Sequence, residues 1–180
     1  MKNALVVYAS RYGHTRRYAQ WIAGQLGCPA LEARQLRPQQ LAACEVLVYG
    51  GGLYAGGLNG AKKVLTAPHP LEGKELVVFT CGLADPADEA TRQHIRAELT
   101  KALPEALGRA HLFFLRGGMD YSRLGPVHRL MMAMMRRMLL KKPEAERGGQ
   151  DRGILETYGK TVDFVDMETA RPLVELVREL

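Results

Sequence analysis

The sequence predicts an α/β domain, a doubly wound five-stranded parallel sheet with a helical insertion after the fifth strand. Three observations carry that expectation. Short apolar runs alternate with stretches of helical periodicity along nearly the whole chain, as parallel strands joined by helices do. The runs EVLVYG (45–50), ELVVFT (75–80) and HLFFL (111–115) are apolar almost throughout instead of alternating, which suits strands covered on both faces. The segments after the strands are crowded with glycine and polar residues, and in open sheets of this kind the carboxyl ends of the strands face the ligand.

Taken in order, residues 4–9 read as the first strand and 15–26 as a helix, with Ala19, Ile22, Ala23 and Leu26 at helical spacing and Gly27 as its stop. A weak strand is expected over 30–36, then the run at 45–50. Helices near 59–66 and 88–107 flank the strand at 75–80, and a last helix covers about 168–180. All of this fits one domain, 1–180. Between the fifth strand and the last helix lie about fifty residues, 117–165, far beyond the usual connection of about two to six. The centre of this insertion, 127–142, places Val127, Leu130, Met131, Met134 and Met138 on one helical face, with Arg129, Arg136, Arg137, Lys141 and Lys142 largely elsewhere. A methionine stripe of this kind packs into a core or a partner-facing groove, which is the first expectation. The alternative is an interfacial helix drawn to an anionic membrane surface. The following KKPEAERGGQDRG reads as a solvated loop.

Composition narrows the classes of function. Of 180 residues, 47% are hydrophobic and 24% charged, a globular balance. Neither a signal peptide nor an apolar run of about 18 residues is visible. Cys28, Cys44 and Cys81 form no CxxC pair, and five scattered histidines make no metal set. A cytoplasmic location is expected, peripheral at the inner face of the membrane if the interfacial reading holds. The net charge of +6 favours anionic partners. Nucleic acid is not expected, because the basic residues are scattered and no DNA-binding motif accompanies them.

The loops carry the chemistry. VVYASRYGHTRRYA (6–19) takes the first strand through Ser10, Gly13 and Thr15 into a helix. A helix N-terminus binds phosphate through unpaired N–H groups and its dipole. Ser10 and Thr15 can add hydroxyls, and Gly13 lets the backbone close on the anion. An ordinary Ser/Thr cap is the plainer alternative. The loop has neither GxxxxGK[ST] nor GxGxxG. After the third strand comes GGGLYAGGLNG (50–60), where Gly50–Gly52 can bring backbone close to a flat ring and Tyr54 can stack on it. After the fourth comes CGLADPAD (81–88), in which Cys81 reads as a small buried residue with no visible resolving cysteine, and Asp85 and Asp88 as caps of the next helix.

The segment V6-V7-Y8-A9-S10-R11-Y12-G13-H14-T15-R16-R17-Y18-A19 resembles the flavodoxin signature, with every fixed position met. Within that superfamily the chain is most similar to the quinone-linked (menaquinone-dependent) protoporphyrinogen oxidases. The likeness lies in Arg11 before the glycine, L53-Y54-A55-G56 after the third strand, and the basic, Met-rich insertion led by G118-M119-D120-Y121. Tyr12 stands where that family tends to have a carboxylate, and the loop after the fourth strand is not closely similar. The resemblance implies a strand order of 2-1-3-4-5 and one FMN. It places around the cofactor Ser10, Arg11, Tyr12, Gly13, His14 and Thr15, then Gly52, Leu53, Tyr54, Ala55 and Gly56, and finally Cys81, Gly82, Leu83 and Asp85. It implies an FMN-dependent oxidoreductase with a quinone or other redox partner. No catalytic acid or base stands out. A flavodoxin-type electron carrier and a non-redox binding module on the same fold are the alternatives.

Overall fold

A computed structural model describes residues 2–54, 57–66 and 71–180. Five parallel strands, β1 (Ala4–Ala9), β2 (Ala30–Glu32), β3 (Val46–Tyr54), β5 (Glu75–Gly82) and β6 (His111–Arg116), lie in the order β2-β1-β3-β5-β6. The short β4 (Gly57–Leu58) turns back on β3, pairing Leu53 with Leu58. Counting only the parallel strands, this is the expected 2-1-3-4-5 α/β order.

Alternation along each buried strand sends neighbouring residues to opposite faces. Val6, Val48, Val77 and Phe79 pack against Tyr18 and Ile22 of α1 (His14–Leu26) and Leu173 and Val177 of α8 (Arg171–Glu179). Leu5, Val7, Leu47, Tyr49 and Val78 pack on the other face against α2 (Pro38–Ala43), α3 (Ala61–Leu65), α4 (Glu89–Ala102) and α5 (Pro104–Leu107). The continuous apolar runs therefore serve two cores, one on each side of the sheet.

Several boundaries move, each for a local reason. The predicted helix over 88–107 is two helices, because Pro104 cannot continue α4 and instead starts α5. The weak strand ends at Glu32, where a 3-10 turn over Ala33–Gln35 takes over. The third strand runs on through the glycines to Tyr54, pairing Gly50 with Phe79, Gly51 with Thr80 and Gly52 with Cys81. Gly50 and Gly51, expected with Gly52 to bring backbone close to a flat ring, lie inside the paired sheet. A Cβ at Gly50 would run into the buried Phe79 ring, and one at Gly51 would lie 2.7 Å from Leu58 Cδ1. These two glycines admit neighbours within the core, and only Gly52 opens toward the ligand edge.

The insertion is structured. It leaves β6 through β7 (Gly118–Asp120), continues into α6 (Pro126–Lys141) and α7 (Gly149–Thr157), and returns through β8 (Thr161–Asp163), which pairs antiparallel with β7. The neck is held tightly. The buried Tyr18 hydroxyl donates to Arg116 O at 2.8 Å and accepts from Asp166 N at 3.0 Å, while the Arg116 guanidinium stacks 3.9 Å above the Phe164 ring. Two expectations are corrected here. The solvated loop runs into α7, whose Gly149 lets its backbone settle onto Thr91 at a distance a Cβ would forbid and whose Gly153 lies close against Ala84. The methionine stripe is not core: α6 buries no residue fully, and Val127, Leu130, Met134 and Met138 are each more than half exposed. The helix covers the rim of the sheet with its other face.

Candidate functional site

The loops at the carboxyl ends of β1, β3 and β5 converge on a cavity of about 210 Å3, roofed by α6. Its first side is the turn into α1. Gly13 caps that helix in the left-handed conformation (φ 97°), where a side chain would be strained. No side chain caps the helix and no acidic residue lies in its first turn, so the positive end of its dipole is left for an anion. The Ser10 hydroxyl accepts a hydrogen bond from Gly13 N at 3.1 Å and fixes the shape of the turn. Arg11, Tyr12 and His14 line the cavity, and the Arg11 guanidinium lies 3.5 Å from His128 Nδ1, joining the turn to α6.

The floor is formed by the ends of two strands. Gly52 and Leu53 come from β3, and Cys81 and Gly82, followed by Leu83, from β5. Thr15 is buried beside the Cys81 sulfur. Burial pushes that thiol up to about 12, with the neighbouring Thr15 pulling weakly the other way. Cys81 is thus a protonated, inert wall at neutral pH. A Cβ at Gly117 would lie 2.5 Å from Cys81 Sγ, so glycine there lets the insertion leave the sheet directly over this floor.

His14 is a titratable group of the wall. Its side chain is 15% exposed and its Nε2 lies 4.0 Å from Oδ1 of Asp163 on β8, whose Oδ2 accepts from Arg17 Nη1 at 2.5 Å. Burial holds the imidazole below its ordinary value; Asp163 and the more distant Asp120 oppose that shift, and Arg17 adds to it.

Of the residues expected from sequence, Arg11, Tyr12, His14, Gly52, Leu53, Cys81, Gly82 and Leu83 line the cavity together. Ser10, Gly13 and Thr15 shape it from behind. Asp85 does not line it; its carboxylate accepts from Ala87 N at 2.9 Å and closes the turn before α4. Ala55, Gly56 and the Tyr54 side chain lie outside the described residues. Sequence reasoning missed the roof, formed by Met131, Met132 and Met135 of α6 with Leu124 and Ile154. The signal was present. Met135 and Leu139 fall four apart, continuing a row from Met131 along the flank of the noticed stripe, and Leu139 reaches a second cavity of about 320 Å3 that shares Leu53, Gly82, Leu83, Met135 and Ile154 with the first.

Among the described residues there is no group of three or more His, Cys, Asp or Glu placed for a metal, and no helix long and apolar enough to cross a membrane. The donor set fits a phosphate ester joined to an apolar ring system. An uncapped helix end with Arg11 beside it suits the anion, and glycine backbone and apolar side chains suit the ring. The 210 Å3 cavity alone is smaller than the roughly 300 Å3 at which ligand pockets begin, and the adjoining cavity of about 320 Å3 extends it past Met135 and Ile154.

A family model described as a flavodoxin domain matches residues 5–146. No curated protein matches the chain. Among solved structures, a flavodoxin, WrbA-like protein from Agrobacterium tumefaciens shares 14% identity with a TM-score of 0.48, over 99% of this chain and 99% of that one. Oxidised flavodoxin 1 from Bacillus cereus shares 17% identity with a TM-score of 0.41, over 63% of this chain and 83% of that one.

Proposed function

The chain belongs to the flavodoxin domain family, and on that premise we propose that it is an FMN-dependent oxidoreductase with a redox partner of its own, of the kind typified by quinone-linked protoporphyrinogen dehydrogenases. The observation that carries this reading is the roofed apolar cavity beside the glycine-lined strand ends. A protein that only passes electrons between partners does not need a methionine-lined chamber over its cofactor edge. The sequence likeness of the insertion supports the same reading, as does the net charge of +6, which favours a partner bearing carboxylates.

Bound FMN would supply two-electron chemistry at its ring; the protein would bind, orient and shield. The α1 N-terminus and Arg11 would hold the phosphate, and Gly52 would admit the ring close to backbone. Met131, Met132 and Met135 would exclude water and adapt to a flat apolar partner, since unbranched thioethers repack readily. His14, neutral at pH 7, can accept a proton at Nε2 and share it with Asp163.

The test is stopped-flow oxidation of the reduced, FMN-loaded protein by a water-soluble quinone. The reading expects saturation with quinone concentration, weakened about tenfold or more by Met135→Lys, and turnover of protoporphyrinogen with that quinone as acceptor. A rate that is linear in quinone, indifferent to Met135→Lys and without porphyrinogen turnover would assign the protein to the carriers.

A further inference from the structure

All six of the exposed large hydrophobic residues among the described ones, Val127, Leu130, Met131, Met134, Met138 and Leu140, lie on α6. The helix spans 16 residues, about 24 Å, and contains no Asp or Glu. Its inner face, through His128, Met132 and Met135, lines the cavity. Its cations divide into two sets. Arg129 donates to Tyr121 O and Ser122 O, and Arg136 lies over the Tyr158 ring; just beyond the helix, Lys142 pairs with Asp151 at 2.8 Å. Arg137 and Lys141 have no side-chain partner among the described residues. They continue the row begun by Leu130 and Met134 at helical spacing, four, seven and eleven residues on from Leu130.

We propose that the outer face of α6 is a docking surface for an anionic lipid bilayer, lying in the interface with Leu130, Met134 and Met138 among the acyl chains and Arg137 and Lys141 at the headgroups. An exposed apolar row bordered by unpaired cations is the chemistry that binds such a surface. The helix is too short and too charged to cross the membrane. A second copy of the chain is a poor occupant. A symmetric contact would gather Arg137 and Lys141 of both copies in one apolar interface, and no carboxylate on the helix could pair with them. The docking does not depend on what the cavity holds, although it would place the cavity's methionine roof at the membrane surface, within reach of lipid-soluble molecules.

The test is flotation of the full chain with vesicles of phosphatidylcholine alone or mixed with phosphatidylglycerol. Wild type should float with the anionic vesicles, weakly or not at all with the neutral ones, and less at high salt. Arg137→Glu/Lys141→Glu should lower the partition coefficient by at least about 25-fold, about fivefold for each lost cation. Leu130→Gln/Met134→Gln/Met138→Gln should abolish flotation while leaving circular dichroism and thermal unfolding unchanged, because all three side chains are exposed. Equal binding to neutral vesicles, or binding that survives both variants, would overturn the proposal. So would a wild type that never floats but sediments as a dimer dissolved by the triple variant, which would give the face to a second copy.

Discussion

The cavity has two walls of opposite construction. The sheet wall is made from strand ends whose neighbours Val6, Val7, Val48, Val77 and Phe79 are wholly buried. Behind it, Gly50 and Gly51 sit where Phe79 and Leu58 leave no room for a Cβ. The roof is a helix that buries no residue fully and meets the sheet wall through flexible methionines and the Arg11–His128 approach. Close-packed interiors resist any change of volume, whereas a methionine surface repacks at little cost. The difference implies a division of labour in which the sheet wall holds its shape and the roof adapts to whatever enters.

Substitutions should expose this asymmetry, beginning with the sheet wall. Gly50→Ala would drive a methyl group into the Phe79 ring, and overpacking a core of this density should lower stability by about 3 kcal/mol. Chemical denaturation would measure it, and Phe79→Leu in the same chain should restore part of the loss. A neutral Gly50→Ala would break the comparison. At the neck joining the two walls, Tyr18→Phe removes the partner of both Arg116 O and Asp166 N and should cost about 1–3 kcal/mol. Hydrogen exchange should show the loss concentrated in β7, β8 and the start of α8.

Between the walls, His14 supplies a pH signature. Its folded value lies below the ordinary 6.5 because burial disfavours the cation, against the pull of Asp163 and Asp120. Between those two values the native state binds fewer protons than the unfolded chain. Its contribution to stability is therefore full above about pH 6.5 and lost as the pH falls toward the lowered value. Thermal unfolding followed from pH 7 downward should show this decline, and His14→Gln should flatten it. The smallest effect belongs to the outside of the roof, where Met134→Gln and Met138→Gln should each change stability by no more than about 0.5 kcal/mol.

The same asymmetry explains what the sequence revealed. The buried strands were legible because continuous apolar runs bounded by turn residues have few other uses, and their order followed from the resemblance carried by residues 6–19. Eight of the expected site residues share one cavity because a parallel sheet brings the ends of its strands to one edge. The roof was harder to read. Burial of a helix against a sheet rim leaves apolar residues on both of its faces, so Val127, Leu130, Met134 and Met138 of the stripe pointed outward while Met131, with His128, Met132 and Met135, faced the cavity. Helix α7 was hidden for another reason. Gly149 and Gly153, the residues that made the segment look like a loop, are the ones that let a helix lie on Thr91 and Ala84. Glycine at positions four apart was the available signal. Asp85 carried none that separated a turn carboxylate from a ligand.

The central claim, that this cavity is a flavin site, is tested most directly by loading the protein with FMN, desalting it and recording its visible absorption. The account predicts about one equivalent of retained flavin with quenched fluorescence, and a loss of retention when Ser10 is replaced by Ala and Gly13 by Val, because the turn then loses both its hydrogen bond and its left-handed residue. A colourless protein after desalting, with circular dichroism showing it folded, would contradict the account and leave the glycine-lined edge as a structural turn.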